Sequence, residues 1–531
     1  MFIDVYVVNI KAVLARVEHR TDLSLGIMVS TERKVLLSSF CLRLVSAFMQ
    51  QTWFVPDEHW QSMEVAHKFI FGYGHLTWEW TIGIRSYLYP LVICAIFKIL
   101  QILQMDSVYF ITLLPRIFHA LLAVINDVYI YWLAREEFGK VAGEWTAFLN
   151  LSSWFMFYTM SRTIINSVET VLTTISAYYF FKWCHKQNYR LWPFKFVLFA
   201  AIAVMVRPTA AIPLIPLVLS QIHLARHHVF NIQQCYFLLG LIIVTFTIII
   251  DRICFGTWVI VPYNFLKFNL VHGIGTFYGN HPWHWYLFQG LPTVLGTQFI
   301  PVLLGALKIK KHLVTLVIIW TIFVYSLLGH KEFRFILPIV PLAMCLAGYY
   351  CSKYLRRYSN YIIAAIIFTN TFPAVYFSML HQRGPIDVVH YLANEANENE
   401  DMSVLYLMPC HSTPYYSHIH RNISMRFLSC EPQLENQYVT DEAEVFYRNP
   451  EKWLKSYLID NYPSHIVMYD VLLKNTKDIL KQHKYSKCYD LFHAHIADGR
   501  IGLEILVFYF TLCNENDCSS LSFSITLHTG V

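Results

Sequence analysis

The chain has 531 residues, 56% hydrophobic and 14% charged, against roughly 25% charged in an average soluble domain. That balance excludes an ordinary soluble enzyme and describes a chain that threads a membrane many times. The net charge of +6 does not indicate a nucleic-acid partner, because the basic residues gather in short clusters between apolar runs, as in cytosolic loops of membrane proteins.

In chain order, residues 1–34 carry Lys11, Arg16, Arg20, Arg33 and Lys34 without a small-residue cleavage site. They read as a cytosolic segment ahead of an uncleaved anchor. Eleven spans are expected, at 35–54, 108–133, 141–160, 168–183, 193–207, 208–224, 235–251, 291–307, 313–328, 335–352 and 360–380. With a cytosolic N-terminus, the clusters Lys182 to Lys195, Arg226 to His228, Lys308 to His312 and Lys353 to Arg357 all fall on the cytosolic side, as the positive-inside rule requires. The apolar stretch Tyr87 to Leu103 would invert that order if it crossed, so it reads as a re-entrant or interfacial segment. The alternative is a true crossing compensated by merging 193–224 into one bent helix around Pro208, Pro213 and Pro216.

Beyond His381 the composition turns polar and the apolar runs shrink to strand or short-helix length. The expected fold class is therefore an all-α polytopic membrane protein with a C-terminal lumenal mixed α/β domain. Its parts are a cytosolic segment 1–34, a transmembrane catalytic domain 35–380 and a lumenal domain 381–531. Asn422-Ile423-Ser424 is a glycosylation sequon in the last of these. Twelve cysteines occur with no CxxC pair, so no metal site is expected. Cys410, Cys430, Cys488, Cys513 and Cys518 lie in the polar region, where an oxidising lumen favours one or two disulfides.

Four polar constellations share the lumenal side. Asp57 and Glu58 follow Pro56 directly after the first span, with Glu64 and His67 three apart on one helical face. Adjacent carboxylates at the mouth of a bilayer helix are costly to desolvate, which marks them as candidate general bases. A purely structural helix-capping role is the bland alternative. His330-Lys331-Glu332-Phe333-Arg334 sets one acid among three potentially cationic side chains, suited to a phosphodiester. Arg162, Asn166 and Glu169 recur at helical spacing as one polar stripe, and Arg207 precedes Pro208. In the aromatic run Tyr278 to Tyr286, Trp283 and His284 are candidates for stacking on a sugar. No nucleotide-binding glycine loop is present.

These residues, with Arg85 in Gly83-Ile84-Arg85-Ser86-Tyr87 and above all the run His330 to Phe335, resemble the dolichyl-phosphate-mannose-dependent mannosyltransferases of the endoplasmic reticulum, of GT-C type. Within that family the stretches Phe54 to His67, Asn264 to Asn269, His381 to Gly384 and Leu407 to His418 are most similar to the branch that adds the third mannose of the GPI core in α-1,2 linkage. The resemblance implies an inverting transfer with no cofactor, dolichyl-phosphate-mannose as donor and a GPI glycolipid precursor as acceptor, among the lipids of the endoplasmic reticulum membrane. It implies Asp57 or Glu58 as the catalytic general base, His330, Lys331, Glu332, Arg334, Arg207, Arg162 and Arg85 around the donor, and Glu64, His67, Asn166, Glu169, Trp283 and His284 toward the acceptor. Competing expectations are the same reaction on the lipid-linked oligosaccharide of N-glycosylation, and a multi-span lipid transporter, which the one-sided clustering of polar groups disfavours.

Overall fold

The computed structural model describes residues 24–510 apart from 188, 190, 272–274, 276–278, 310–311, 400 and 432–440. Most of the N-terminal segment, Tyr278 of the aromatic run, Lys310 and Lys311 of a basic cluster, and Cys513 and Cys518 lie outside the described residues. The chain divides into two compact units, one of residues up to Gln51 with Asp57–Met379, the other of Thr52–Pro56 with the chain from Leu380.

The first unit is helical. Its main elements are α1 (Ser24–Met49), α2 (Val108–Phe138), α3 (Lys140–Ser152), α4 (Ile165–His185) and α5 (Val340–Tyr354). Five runs among the described residues are long and apolar enough to cross a membrane: Val108–Phe138, Arg226–Phe255, Tyr286–Lys308, Phe333–Tyr354 and Ser359–Glu398. Pro90–Ile102, Phe194–Val206, Pro208–Leu224 and Leu313–Leu327 are shorter apolar helices. The first helix starts eleven residues before the expected span and stops at Met49 rather than at residue 54. Its continuation is drawn into other backbone pairing, Gln51 N–H donating to Ser378 O at 2.9 Å.

Pro90–Ile102 is about 20 Å long at helical rise, short of the roughly 30 Å of a hydrocarbon core. It packs Ile93, Cys94, Phe97 and Leu100 against Met63, Ala66 and Ile111. The helices Phe194–Val206 and Pro208–Leu224 stay separate, because Arg207 is extended at φ −147°, the conformation that a following proline imposes.

Small residues let helices approach where apolar burial gives little driving force. A Cβ at Gly348 of α5 would collide with Thr146 Oγ1 and stand 2.8 Å from Thr146 N in α3. Ala142 and Ala147 of α3 and Ala343 and Ala347 of α5 are buried beside it. A polar knot also ties the bundle. Asp127 of α2 accepts from Arg43 Nε at 2.8 Å, Arg43 Nη2 at 3.0 Å, Ser39 Oγ at 2.6 Å and Asn150 Nδ2 at 2.7 Å. Both charged partners are fully buried, a pair viable only because its remaining polar atoms are largely satisfied.

The second unit carries a five-stranded sheet, β1 (Ser403–Leu407), β2 (Ser424–Phe427), β3 (His465–Tyr469), β4 (Tyr485–Phe492) and β5 (Glu504–Phe510), in the order β2-β1-β3-β5-β4. β1 pairs in parallel with β2 and β3, while β5 runs antiparallel to β3 and β4. The central strand His-Ile-Val-Met-Tyr is buried throughout and edge strand β4 alternates, as expected of two-sided and one-sided burial. Cys410 and Cys430 form a disulfide in this unit. Together with His411 they place three ligand atoms within 4.8 Å of one another, but the disulfide removes both thiolates as ligands. Asn422 is exposed just before β2.

Candidate active site

The first loop winds up tightly. After Pro56 the chain turns through Asp57 and Glu58 into a wide π turn, His59–Met63, and then the helix Glu64–Phe71, which stops at Gly72 with φ +84°. Neighbouring residues on a helix diverge by about 100°, so the two adjacent acids face different surroundings. Asp57 keeps 21% of its side chain exposed and pairs with Arg334 Nη1, whereas Glu58 is buried and accepts from Arg162 Nη1 at 2.9 Å.

Arg334 is the centre of the site. It is the second residue of the 3-10 turn Phe333–Ile339, and its Nε and Nη2 reach the Glu332 carboxylate at 2.6 and 2.7 Å while Nη1 meets Asp57, 277 residues away. A guanidinium has five N–H groups. Three are committed among the described residues, which leaves two for another anion. His330 Nε2 stands 2.9 Å from Glu332 Oε1, the oxygen that also accepts from Arg334 Nη2. Burial alone would push the Glu332 carboxyl up, but Arg334 and His330 hold it well below the usual range. Tyr286 fixes the backbone beside this pair by donating its hydroxyl to Glu332 O at 3.1 Å.

The surrounding residues converge on this centre from distant parts of the chain. Asn166 Nδ2 donates to Arg334 O at 3.1 Å. Glu169 pairs with Arg207 at 2.6 Å, and that guanidinium lies 5.5 Å from the centroid of the Phe335 ring. Arg85 is paired with Glu79 at 2.7 Å, close enough to Asp57 and Arg334 to feel both charges. Gly83 makes the Arg85 turn possible with φ +72°, and Asn264 Nδ2 caps it through Ile82 O and Gly83 O, each at 3.2 Å. Lys331 is buried, with its ammonium donating to His281 O at 2.9 Å and to Leu328 O.

The expected helical stripe of Arg162, Asn166 and Glu169 is not one stripe. Ile164 is extended (φ −88°, ψ +138°) and the helix begins only at Ile165, so Arg162 sits in the preceding turn and serves Glu58 while the other two face Arg334 and Arg207. Arg162 also lies 4.3 Å from the centroid of the Tyr158 ring and donates through Nε to Tyr158 O. Burial would raise the Glu58 carboxyl, but Arg162, His59 and Arg116 together hold it below its ordinary value. His59 is driven by burial down to about 4, partly offset by Glu58.

Glu64 and His67 share a face as expected and are fully buried, His67 Nδ1 standing 3.3 Å from Tyr73 O. Trp283 is 66% exposed, whereas Trp285, stacked on His281 at 5.0 Å, and Tyr286 of the same run are buried. Sequence reasoning missed Glu79, Tyr286, Arg116 and the pair Arg43 and Asp127. The last pair had a usable signal, opposite charges each set inside an apolar span. Glu79 had none, since a single acid in a loop is ordinary.

Comparison with known proteins places the chain in a family. Residues 35–420 match the model of the Alg9-like mannosyltransferase family. The chain is 40% identical over 491 residues to GPI alpha-1,2-mannosyltransferase 3 of Mus musculus, covering 89% of this chain and 88% of that protein. It is 42% identical over 474 residues to GPI mannosyltransferase 3 of Drosophila melanogaster, with 85% and 82% covered. In fold it is similar to the crystal structure of ArnT from Cupriavidus metallidurans bound to undecaprenyl phosphate, with a TM-score of 0.55 over 91% of this chain and 98% of that one at 12% identity. A motif-bearing site held by helices from both ends of the first unit, a family match across most of the chain and relatives at this identity lead to one statement: the chain belongs to the Alg9-like mannosyltransferase family.

Proposed function

We propose that this protein transfers mannose from dolichyl-phosphate-mannose, in α-1,2 linkage, as the third mannose of the GPI-anchor precursor. The reaction takes place in the endoplasmic reticulum membrane, with the catalytic loops facing the lumen. The names carried by relatives at 40% and 42% identity support the acceptor and linkage. The observation that carries the chemistry is Arg334, held between Asp57 and Glu332 with two N–H groups uncommitted.

The transfer inverts the anomeric centre. The Asp57 carboxylate takes the proton from the acceptor hydroxyl as its oxygen forms the new bond to C1 of mannose. The C1–O bond to phosphate breaks on the opposite face, and its electron pair leaves with dolichyl phosphate. That leaving group is a weak base and needs no proton, so one base and cationic stabilisation suffice. The free edge of Arg334 addresses the departing phosphate, Glu332 and His330 fix the guanidinium plane, and Lys331 locks the loop carrying them. Arg85, paired with Glu79, adds positive potential on the Asp57 side. No cofactor is required.

Cells lacking their own third GPI mannosyltransferase provide the test. Expression of this chain should clear the accumulated two-mannose precursor and restore surface GPI proteins. Clearance of an N-glycan lipid-linked intermediate instead would assign the acceptor to that pathway.

A further inference from the structure

The first unit has a polar cavity that the transfer reaction does not use. It measures about 750 Å³ and is lined by the ends of several helices, among them Glu32 of α1, Arg135 of α2 and Lys182 of α4. Arg135 Nη1 and Glu32 Oε1 are 2.6 Å apart. From Glu32 to Met49 α1 rises about 26 Å, so Glu32 stands that far from the end of the helix that leads to the acids of the first loop.

Its charges are unbalanced. Arg135 is neutralised by Glu32, and Glu136 accepts the Tyr178 hydroxyl at 3.2 Å. Among the described residues Lys182, Lys186 and Lys195, which also line the cavity, make no ion pair. Lys182 donates to Tyr178 OH at 2.8 Å, Lys195 lies 5.1 Å from the centroid of the Tyr179 ring, and Lys186 is exposed. Three ammonium groups in an aromatic frame suit a phosphate.

The rim specifies what carries that phosphate. Leu191, Trp192 and Phe194 line the same cavity and are 48%, 45% and 49% exposed, and Trp183 Nε1 anchors this segment by donating to Leu191 O at 3.0 Å. A soluble phosphate would use the lysines and leave this apolar rim idle. An amphiphile uses both, and the volume lies within the range of small-molecule sites. We infer that this cavity binds the phosphate headgroup of an anionic phospholipid, drawn from the leaflet opposite the catalytic acids, with its acyl chains lying along Leu191, Trp192 and Phe194.

The experiment is native mass spectrometry of the full-length protein in detergent, titrated with dioleoyl phosphatidic acid, dioleoyl phosphatidylcholine or glycerol 3-phosphate. Phosphatidic acid should bind at least tenfold more tightly than either control, and the triple variant Lys182→Gln, Lys186→Gln, Lys195→Gln should lose that advantage while transferring mannose at the normal rate. The single variant Lys186→Gln, at an exposed position, should weaken binding about threefold and covers the case in which the triple variant does not fold. A photoreactive benzoylphenylalanine at Leu191 should crosslink to phosphatidic acid in the otherwise natural chain. Equal affinity for phosphatidylcholine, equal affinity for glycerol 3-phosphate, or unchanged binding in the lysine variants would overturn the assignment.

Discussion

At the scale of residues, the two acids after Pro56 have separate tasks because the helical turn points them apart. Asp57 is partly exposed and bonded to Arg334, whose guanidinium it shares with Glu332, whereas Glu58 is fully buried and bonded to Arg162. Asp57→Asn should leave thermal stability within about 1 kcal/mol while cutting transfer by about 100-fold or more. Glu58→Gln should instead lower stability by about 3 kcal/mol, because it strands a buried guanidinium. Melting curves and turnover measured side by side separate the two, and a stable but inactive Glu58→Gln would exchange the roles. The Arg334 guanidinium occupies the place between Asp57 and Glu332 that a divalent ion would need. Transfer with preformed donor should therefore continue in excess EDTA. Arrest by EDTA with recovery on adding manganese would reassign Asp57 and Glu332 as metal ligands.

At the scale of elements, the site depends on how closely α3 and α5 pack, since the 3-10 turn bearing Arg334 runs directly into α5. A side chain at Gly348 would drive into the Thr146 backbone, and backbone cannot yield as a flexible side chain can. Gly348→Leu should cost about 2 to 3 kcal/mol and reduce the yield of folded protein, with Gly348→Ala intermediate; a scan of melting temperatures in detergent would show it. In the second unit His465 on β3 and His493 after β4 are buried, and burial holds each at about 4, His381 adding to the effect on His493. A folded value below the ordinary 6.5 means both rings are neutral when folded. That stability is complete above about pH 6.5 and is lost as pH falls toward about 4. The melting temperature of the full chain should drop across that window, and His465→Gln with His493→Gln should flatten the slope whatever its effect at pH 7. The helices of the first unit were legible from apolar run length, whereas the strands of the second were not placed, because its short apolar runs fit a strand or a short helix equally. The break at Ile164 was not legible either, because nothing in Thr-Ile-Ile-Asn forbids a helix, and the pull of Glu58 on Arg162 comes from another part of the chain.

At the scale of the whole molecule, the expected topology sets the C-terminal unit in the lumen, where the Asn422 sequon and the Cys410–Cys430 disulfide both meet suitable chemistry. In sealed microsomes a C-terminal tag should resist protease until detergent is added, and Asn422→Gln should increase mobility on a gel by one glycan. Digestion of the tag without detergent would require an even number of crossings and would separate the C-terminal unit from the proposed lumenal loops.

The sequence by itself determined the membrane class, the family-bearing motifs and the residue types at the site, because these follow from composition and short-range pattern. It could not determine which cation serves which acid. Arg162, Arg207 and Arg334 look interchangeable as loop arginines, yet each is paired with a different carboxylate, and only Arg334 shares two. Those pairings join residues 104 and 277 positions apart for Glu58 with Arg162 and Asp57 with Arg334. Helical periodicity has no reach over such distances. They are fixed by the close packing of the helices that carry the loops, where desolvation makes an unpaired charge costlier than any alternative partner.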